Sequence, residues 1–192
     1  MKRTWACCLI TAAIALSLQG CAGLFVAGAA TGASVAADRR STETVYEDQV
    51  IEVKATNHLY GDQDLKEDTH IGVTSINHNV LLTGEAKTEA LRKRVVAMVK
   101  GIKGVRYVID EIAIAEPASL GSRTHDTWIT AKVKSELLGD AGLGGLRIKV
   151  VTERSIVYLM GLVTRKEGQE AADVAKQVSG VNQVVKVFEY TG

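Results

Sequence analysis

Two spacings of apolar residues follow each other along the chain, and the pair occurs twice. Apolar positions recur every fourth residue at Ile51, Ala55 and Leu59, and again at Ile129, Val133 and Leu137, which marks the buried stripe of a helix. Asp48 and Asp126, three residues ahead of each stripe, are of a type that caps helix N-termini. Gly61-Asp62 and Gly139-Asp140 end the two helices. Short strand-like runs follow, 70–76 and 80–83 in the first half, 147–152 and 156–160 in the second. The polar turns Asn77-His78-Asn79 and Glu153-Arg154-Ser155 join each pair into a hairpin, and Gly84 and Gly161 close the second strand. A second helix then faces inward with Val95, Val96, Val99 and Ile102, or with Ala171, Ala172, Ala175 and Val178. Gly104 or Gly180 turns the chain into a last β-branched strand, 105–114 or 181–190.

The two halves are copies of one unit. Asp48-Gln49-Val50-Ile51 aligns with Asp126-Thr127-Trp128-Ile129, and Ile71-Gly72-Val73 with Ile148-Lys149-Val150. The run from Val80 to Gly84 aligns with Val157 to Gly161, and Ile102 to Val108 with Val178 to Val184. The offset drifts from 78 to 76, so only single-residue gaps separate the copies. A long period present twice indicates two small domains rather than a solenoid. The order α-β-β-α-β, with Gly-Val opening the last strand, resembles the BON domain. The resemblance implies an α+β fold in which each copy has a three-stranded mixed sheet with two helices on one face. It assigns residues 48–115 to a first BON domain, 116–125 to a linker holding Pro117, and 126–192 to a second BON domain. A module of about 65 residues buries little surface alone, so packing between the copies is expected.

The N-terminal residues have a different character. Lys2 and Arg3 precede an apolar run from Trp5 to Leu18, too short for a comfortable bilayer span, which reads as a secretory signal over residues 1–20. Leu18-Gln19-Gly20-Cys21 resembles a bacterial lipobox. That resemblance implies cleavage before Cys21 and acylation, palmitate included, of its thiol and new amino terminus. Two or more acyl chains hold a protein on a membrane stably, where one does not. Ala22 stands where an Asp would signal inner-membrane retention, which implies the periplasmic face of the outer membrane. Residues 21–47 then form a lipidated flexible linker: 22–37 is small and apolar, and 38–47 is polar and mobile.

Composition narrows the function classes. The chain is +1, and it is −1 once Lys2 and Arg3 are removed, too little positive charge for a nucleic-acid binder. Cys7 and Cys8 leave with the signal and Cys21 is acylated, so no thiol remains for a disulfide or a metal. His58, His70, His78 and His125 show no metal-ligand spacing, although His70 and His78 could approach across the hairpin. Glu85 and Glu89 have the spacing of a solvated helix face. No nucleophile elbow or phosphate loop is present, so no catalytic residue, metal or cofactor is expected and an enzyme is not.

One helix face has unusual chemistry. Projected at about 100° per residue, the side of the second-copy helix opposite Ile129, Val133 and Leu137 holds Trp128, Ala131, Ser135 and Leu138. No charge lies among them, and Lys132 and Lys134 flank them. Surface helices normally turn charges outward. Tryptophan favours a membrane–water interface, and marginal lysines can meet lipid phosphates. The corresponding face of the first copy, Val50, Val53, Asn57 and Tyr60 with Lys54, has no Trp and is expected to bind more weakly. Three partners for Trp128 stay open: anionic phospholipid, the other BON copy or the segment around Leu120, and an envelope protein. The family resemblance implies phospholipid binding, together with support of envelope integrity and a place at division sites. The alternative is an adaptor that docks outer-membrane assembly factors or cell-wall hydrolase regulators.

Overall fold

A computed structural model describes residues 38–140, 143 and 148–191. The signal over 1–20, Cys21, the segment 22–37 and Arg147 therefore lie outside the described residues. The first copy comprises α1 (Thr42–Gly61), a short α2 (Gln63–Asp68), β1 (Thr69–Ile76), β2 (Asn79–Ala86), α3 (Glu89–Lys100) and β3 (Tyr107–Ile114). The second comprises α4 (Leu120–Gly139), β4 (Lys149–Glu153), β5 (Ile156–Val163), α5 (Arg165–Lys176) and β6 (Gln183–Tyr190). Each sheet has its second strand at the centre, antiparallel to the first and parallel to the third, so both sheets are mixed as expected.

The main helices start earlier than the sequence suggests. Ser41 and Ser119 are the N-caps, their hydroxyls accepting from the backbone N–H groups of Thr44 and Ser122. The linker expected over 116–125 is thus helical from Leu120, and the mobile segment expected over 38–47 is helical from Thr42. Arg40, just ahead of α1, pairs with Asp38 and Asp48.

Asp48 and Asp126 are not caps. Both are buried in mid-helix and grip the hairpin turn of their own domain. Asp48 accepts from the N–H groups of Asn77 and His78 at 2.8 Å each, from the Ser75 hydroxyl at 2.6 Å and from Arg40 at 2.6 Å. Asp126 accepts from the N–H groups of Arg154 and Ser155 at 2.9 Å each. The central turn residues have positive φ: 50° and 65° at Asn77 and His78, 52° and 60° at Arg154 and Ser155. A two-residue hairpin turn needs that conformation at both positions, and it is uncommon for Arg and Ser. The carboxylate supplies acceptors for N–H groups that the turn turns away from the ladder.

Strand ends differ from expectation as well. β2 runs on to Ala86 and β5 to Val163, so Gly84 and Gly161 lie inside their strands. Gly84 has φ +105°, and a Cβ there would sit 1.9 Å from the carbonyl oxygen of His70. It permits close approach of β1 rather than ending β2.

Each sheet is covered by helices on one face. In the first copy Ile51, Ala55, Leu59, Val95 and Val99 pack on Val80, Leu82 and Ile112. In the second, Ile129, Val133, Leu137, Ala171 and Ala175 pack on Val150, Val157 and Leu159. The opposite faces meet: Ile76 and Leu81 of the first sheet form one buried cluster with Tyr158 and Met160 of the second. The order of layers is helix, sheet, sheet, helix, and β2 and β5 are buried on both sides. Polar ties surround this junction, including Asn77 to Glu189 at 2.8 Å and Lys149 to Glu52 at 2.8 Å. Ala37–Gly192 form one compact unit. Its three apolar clusters all fall within residues 51–188. A segment 38–192 therefore contains all of the core that the described residues form, while a cut between the copies would expose the Tyr158–Leu81 contact.

Candidate functional site

Helix α4 is 20 residues long, about 30 Å. Its core stripe is Ile129, Val133 and Leu137, with the turn-gripping Asp126 on the same side. On the outer side Trp128, Ala131, Lys134, Ser135 and Leu138 are exposed, and Lys132 is half-buried. The early start at Ser119 lengthens this outer stripe by Leu120 and Thr124, which helical spacing aligns with Ala131, Ser135 and Leu138. Leu120 is 78 % exposed, Leu138 55 % and Trp128 48 %. Trp128 is thus not buried between the copies. Its ring stacks on His125 at 5.8 Å, and the Lys132 ammonium lies 4.4 Å from the ring centroid. This places an apolar plane and a cation side by side at the surface.

Leu120 falls outside the sequence pattern, which starts the helix at Asp126. The signal that could have found it is Ser119, a good N-cap residue two positions after Pro117. The same lengthening changes the first copy, where the helix now brings in Tyr46. Tyr46, Val53 and Tyr60 are 66 %, 59 % and 54 % exposed, and Val50 is half-buried. The first-copy face is therefore no smaller than that of the second. What separates the copies is charge. Over its length α4 carries Arg123, Lys132 and Lys134 against Asp126 and Glu136, net +1. Helix α1 carries Lys54 against Glu43, Glu47, Asp48 and Glu52, net −3.

A second grouping lies between the copies. Glu85 is on β2, not on a helix, and is fully buried. Register places His70 of β1 opposite it, and Glu153 at the end of β4 completes the group. His78 does not join it: it sits in the turn at the other end of the hairpin, with Nε2 2.8 Å from Glu47. Glu89 is exposed in the first turn of α3. Burial pushes the His70 imidazole below its ordinary value, Arg123 adds to this and Glu85 opposes it. Burial, with the charges of Glu85 and Asp126, pushes the Glu153 carboxyl up to about 7.

No described helix is long and apolar enough to cross a membrane. Residues 47–116 and 125–192 each match the family described as "BON domain". The chain is 35% identical over 173 residues, 90% of each chain, to a Haemophilus influenzae protein named "Outer membrane lipoprotein DolP". It is 36% identical over 153 residues, 80% of this chain and 79% of the relative, to a "21 kDa hemolysin" of Actinobacillus pleuropneumoniae. It is 30% identical over 141 residues, 72% of this chain and 70% of the relative, to "Osmotically-inducible protein Y" of Escherichia coli.

Proposed function

The chain belongs to the BON-domain family, and from that premise we propose that it is a non-enzymatic lipoprotein of the outer membrane that binds anionic phospholipid through α4 of its second BON domain. The observation that carries this reading is the uncharged, exposed stripe Leu120, Thr124, Trp128, Ala131, Ser135 and Leu138, flanked by Lys132 and Lys134. Burial of Trp128 and the two leucines among acyl chains returns apolar area to an apolar phase, and the lysines meet phosphates. The name of the Haemophilus relative supports an outer-membrane location. Cys21 carries the acyl anchor in this reading, and support of envelope integrity and action at division sites are what the family resemblance implies. The anchor supplies attachment, so the α4 contact serves to select lipid rather than to hold the protein. At the local concentration a tether provides, weak lipid affinity becomes occupancy.

The test is vesicle flotation of the segment 38–192. Binding is expected with vesicles containing anionic phospholipid, with little on zwitterionic ones and a marked fall at high salt. Binding that ignores lipid charge, or none at all, removes the reading. Cys21→Ser in cells should move the full protein out of the membrane fraction. Complete retention after a salt wash would show that Cys21 is not the anchor.

The face of α1 supports a second contact, with an envelope protein. It exposes Tyr46, Val53 and Tyr60 but is flanked by Glu43 and Glu47, and anionic lipid would repel it. An adaptor that joins lipid to an assembly or hydrolase factor would use both helices.

A further inference from the structure

We propose that His70, Glu85 and Glu153 bind one divalent transition-metal ion of the zinc type, which ties the first BON domain to the second. One ring nitrogen and one carboxylate oxygen from each glutamate lie within 4.8 Å of one another. They come from β1 and β2 of one domain and β4 of the other.

Two atoms of this group are buried with no hydrogen-bond partner among the described residues: His70 Nδ1 and Glu85 Oε1. Glu85 is wholly buried; its Oε2 accepts from the backbone N–H of Ala118 at 3.2 Å and lies 3.7 Å from His70 Nδ1. Arg154 Nη1 is 3.9 Å from Oε1, an ion pair too long for a hydrogen bond. Unsatisfied polar atoms at such depth are uncommon in native folds and call for an explanation. A cation set between the three side chains satisfies both.

The protonation states fit. A ligating imidazole must be neutral, and burial holds His70 toward that form. The Glu153 carboxyl is raised first by burial and then by the charges of Glu85 and Asp126, with Arg123 and Arg154 opposing, and a metal ion would relieve the carboxylate repulsion. One nitrogen and two oxygens with a water suit four-coordinate zinc, whose ligand bonds of about 2.0–2.2 Å require these donors to close by about 1–1.5 Å. Glu153 and His70 are both partly exposed and can move by that much. A pocket of about 380 Å³ lined by His70, Arg123, Asp126, Thr152 and Glu153 gives entry. The cations beside the site do not fill it: Arg123 donates through Nε to the Ala118 carbonyl, and the Arg154 side chain is half exposed and can turn to solvent.

The experiment titrates zinc chloride into chelator-treated segment 38–192, which contains no cysteine, by calorimetry and by thermal melting. One-to-one binding with a rise in melting temperature is expected. Glu153→Gln should weaken it by at least about tenfold. Because Gln removes a carboxylate that burial and Glu85 disfavour, this variant should melt no lower than the parent without zinc, which separates loss of a ligand from loss of fold. Glu85→Gln should lose binding in the same way, and Arg154→Gln and His58→Gln should keep it. No saturable one-to-one binding, unchanged affinity in Glu153→Gln, or loss in His58→Gln would each overturn the site. The vesicle reading rests on α4 and survives that outcome.

Discussion

Asp48→Ala should cost about 3–5 kcal/mol of folding stability, read as a fall in urea midpoint at constant slope. The carboxylate accepts from two turn N–H groups, the Ser75 hydroxyl and Arg40, and water cannot replace it at a residue of 0 % exposure. Its loss leaves several donors unpaired at once, each costing about 1–3 kcal/mol before relaxation. Asn77 and His78 also hold positive φ, so the turn loses the acceptors that offset its own strain. Asp48→Asn should recover part of the loss, since one carbonyl oxygen remains. Asp126→Ala should cost less, about 2–3 kcal/mol, because its hydrogen bonds go to two N–H groups. A difference of under about 0.5 kcal/mol for Asp48→Ala, the level of an ordinary surface change, would refute the structural role assigned to it.

Trp128→Glu should lower the affinity of segment 38–192 for anionic vesicles by at least about tenfold, or about 1.4 kcal/mol, and leave the melting curve in place. The ring is half exposed and belongs to no buried cluster, so its loss takes little from the core. The new carboxylate stands one helical turn from Lys132, neutralises a cation that would meet lipid phosphate, and is itself repelled by headgroups. Leu120→Asn should weaken binding too, by less, because the leucine lies at the start of the same stripe. A melt lowered by several degrees would make Trp128 a folding residue. Unchanged lipid binding with an unchanged melt would assign the face to a protein. Point variants are the right comparison between the copies, because fragments cut between them would expose Leu81, Tyr158 and Met160 and adhere to vesicles for that reason alone.

What was legible in the sequence is what repeats with a short period. The four-residue spacing of Ile129, Val133 and Leu137 and the β-branched runs after Gly104 and Gly180 reflect burial against one neighbour, and local pattern records it. The start of each helix was not legible. Asp48 and Ser41 are equally good capping types, and the positions that would continue the stripe ahead of Ile51 (Glu47 and Thr44) are polar. The role of Asp48 depends on a turn 29 residues away, which no window of sequence contains. The trio of His70, Glu85 and Glu153 was further out of reach. It needs the register of β1 on β2, the close approach at Gly84, and the docking of a second sheet. Glu85 beside Glu89 resembled a wet helix face because a strand and a helix meet between them at Thr88.

The sheet-to-sheet junction has one more consequence. Since the sheets face each other, the outer stripes of α1 and α4 point away from one another, and a single bilayer leaflet cannot engage both. On the proposed lipid reading, a molecule resting on a bilayer through Trp128 would hold Tyr46, Val53 and Tyr60 on its far side. The duplication has set two exposed helix faces of opposite net charge on opposite sides of one pair of sheets.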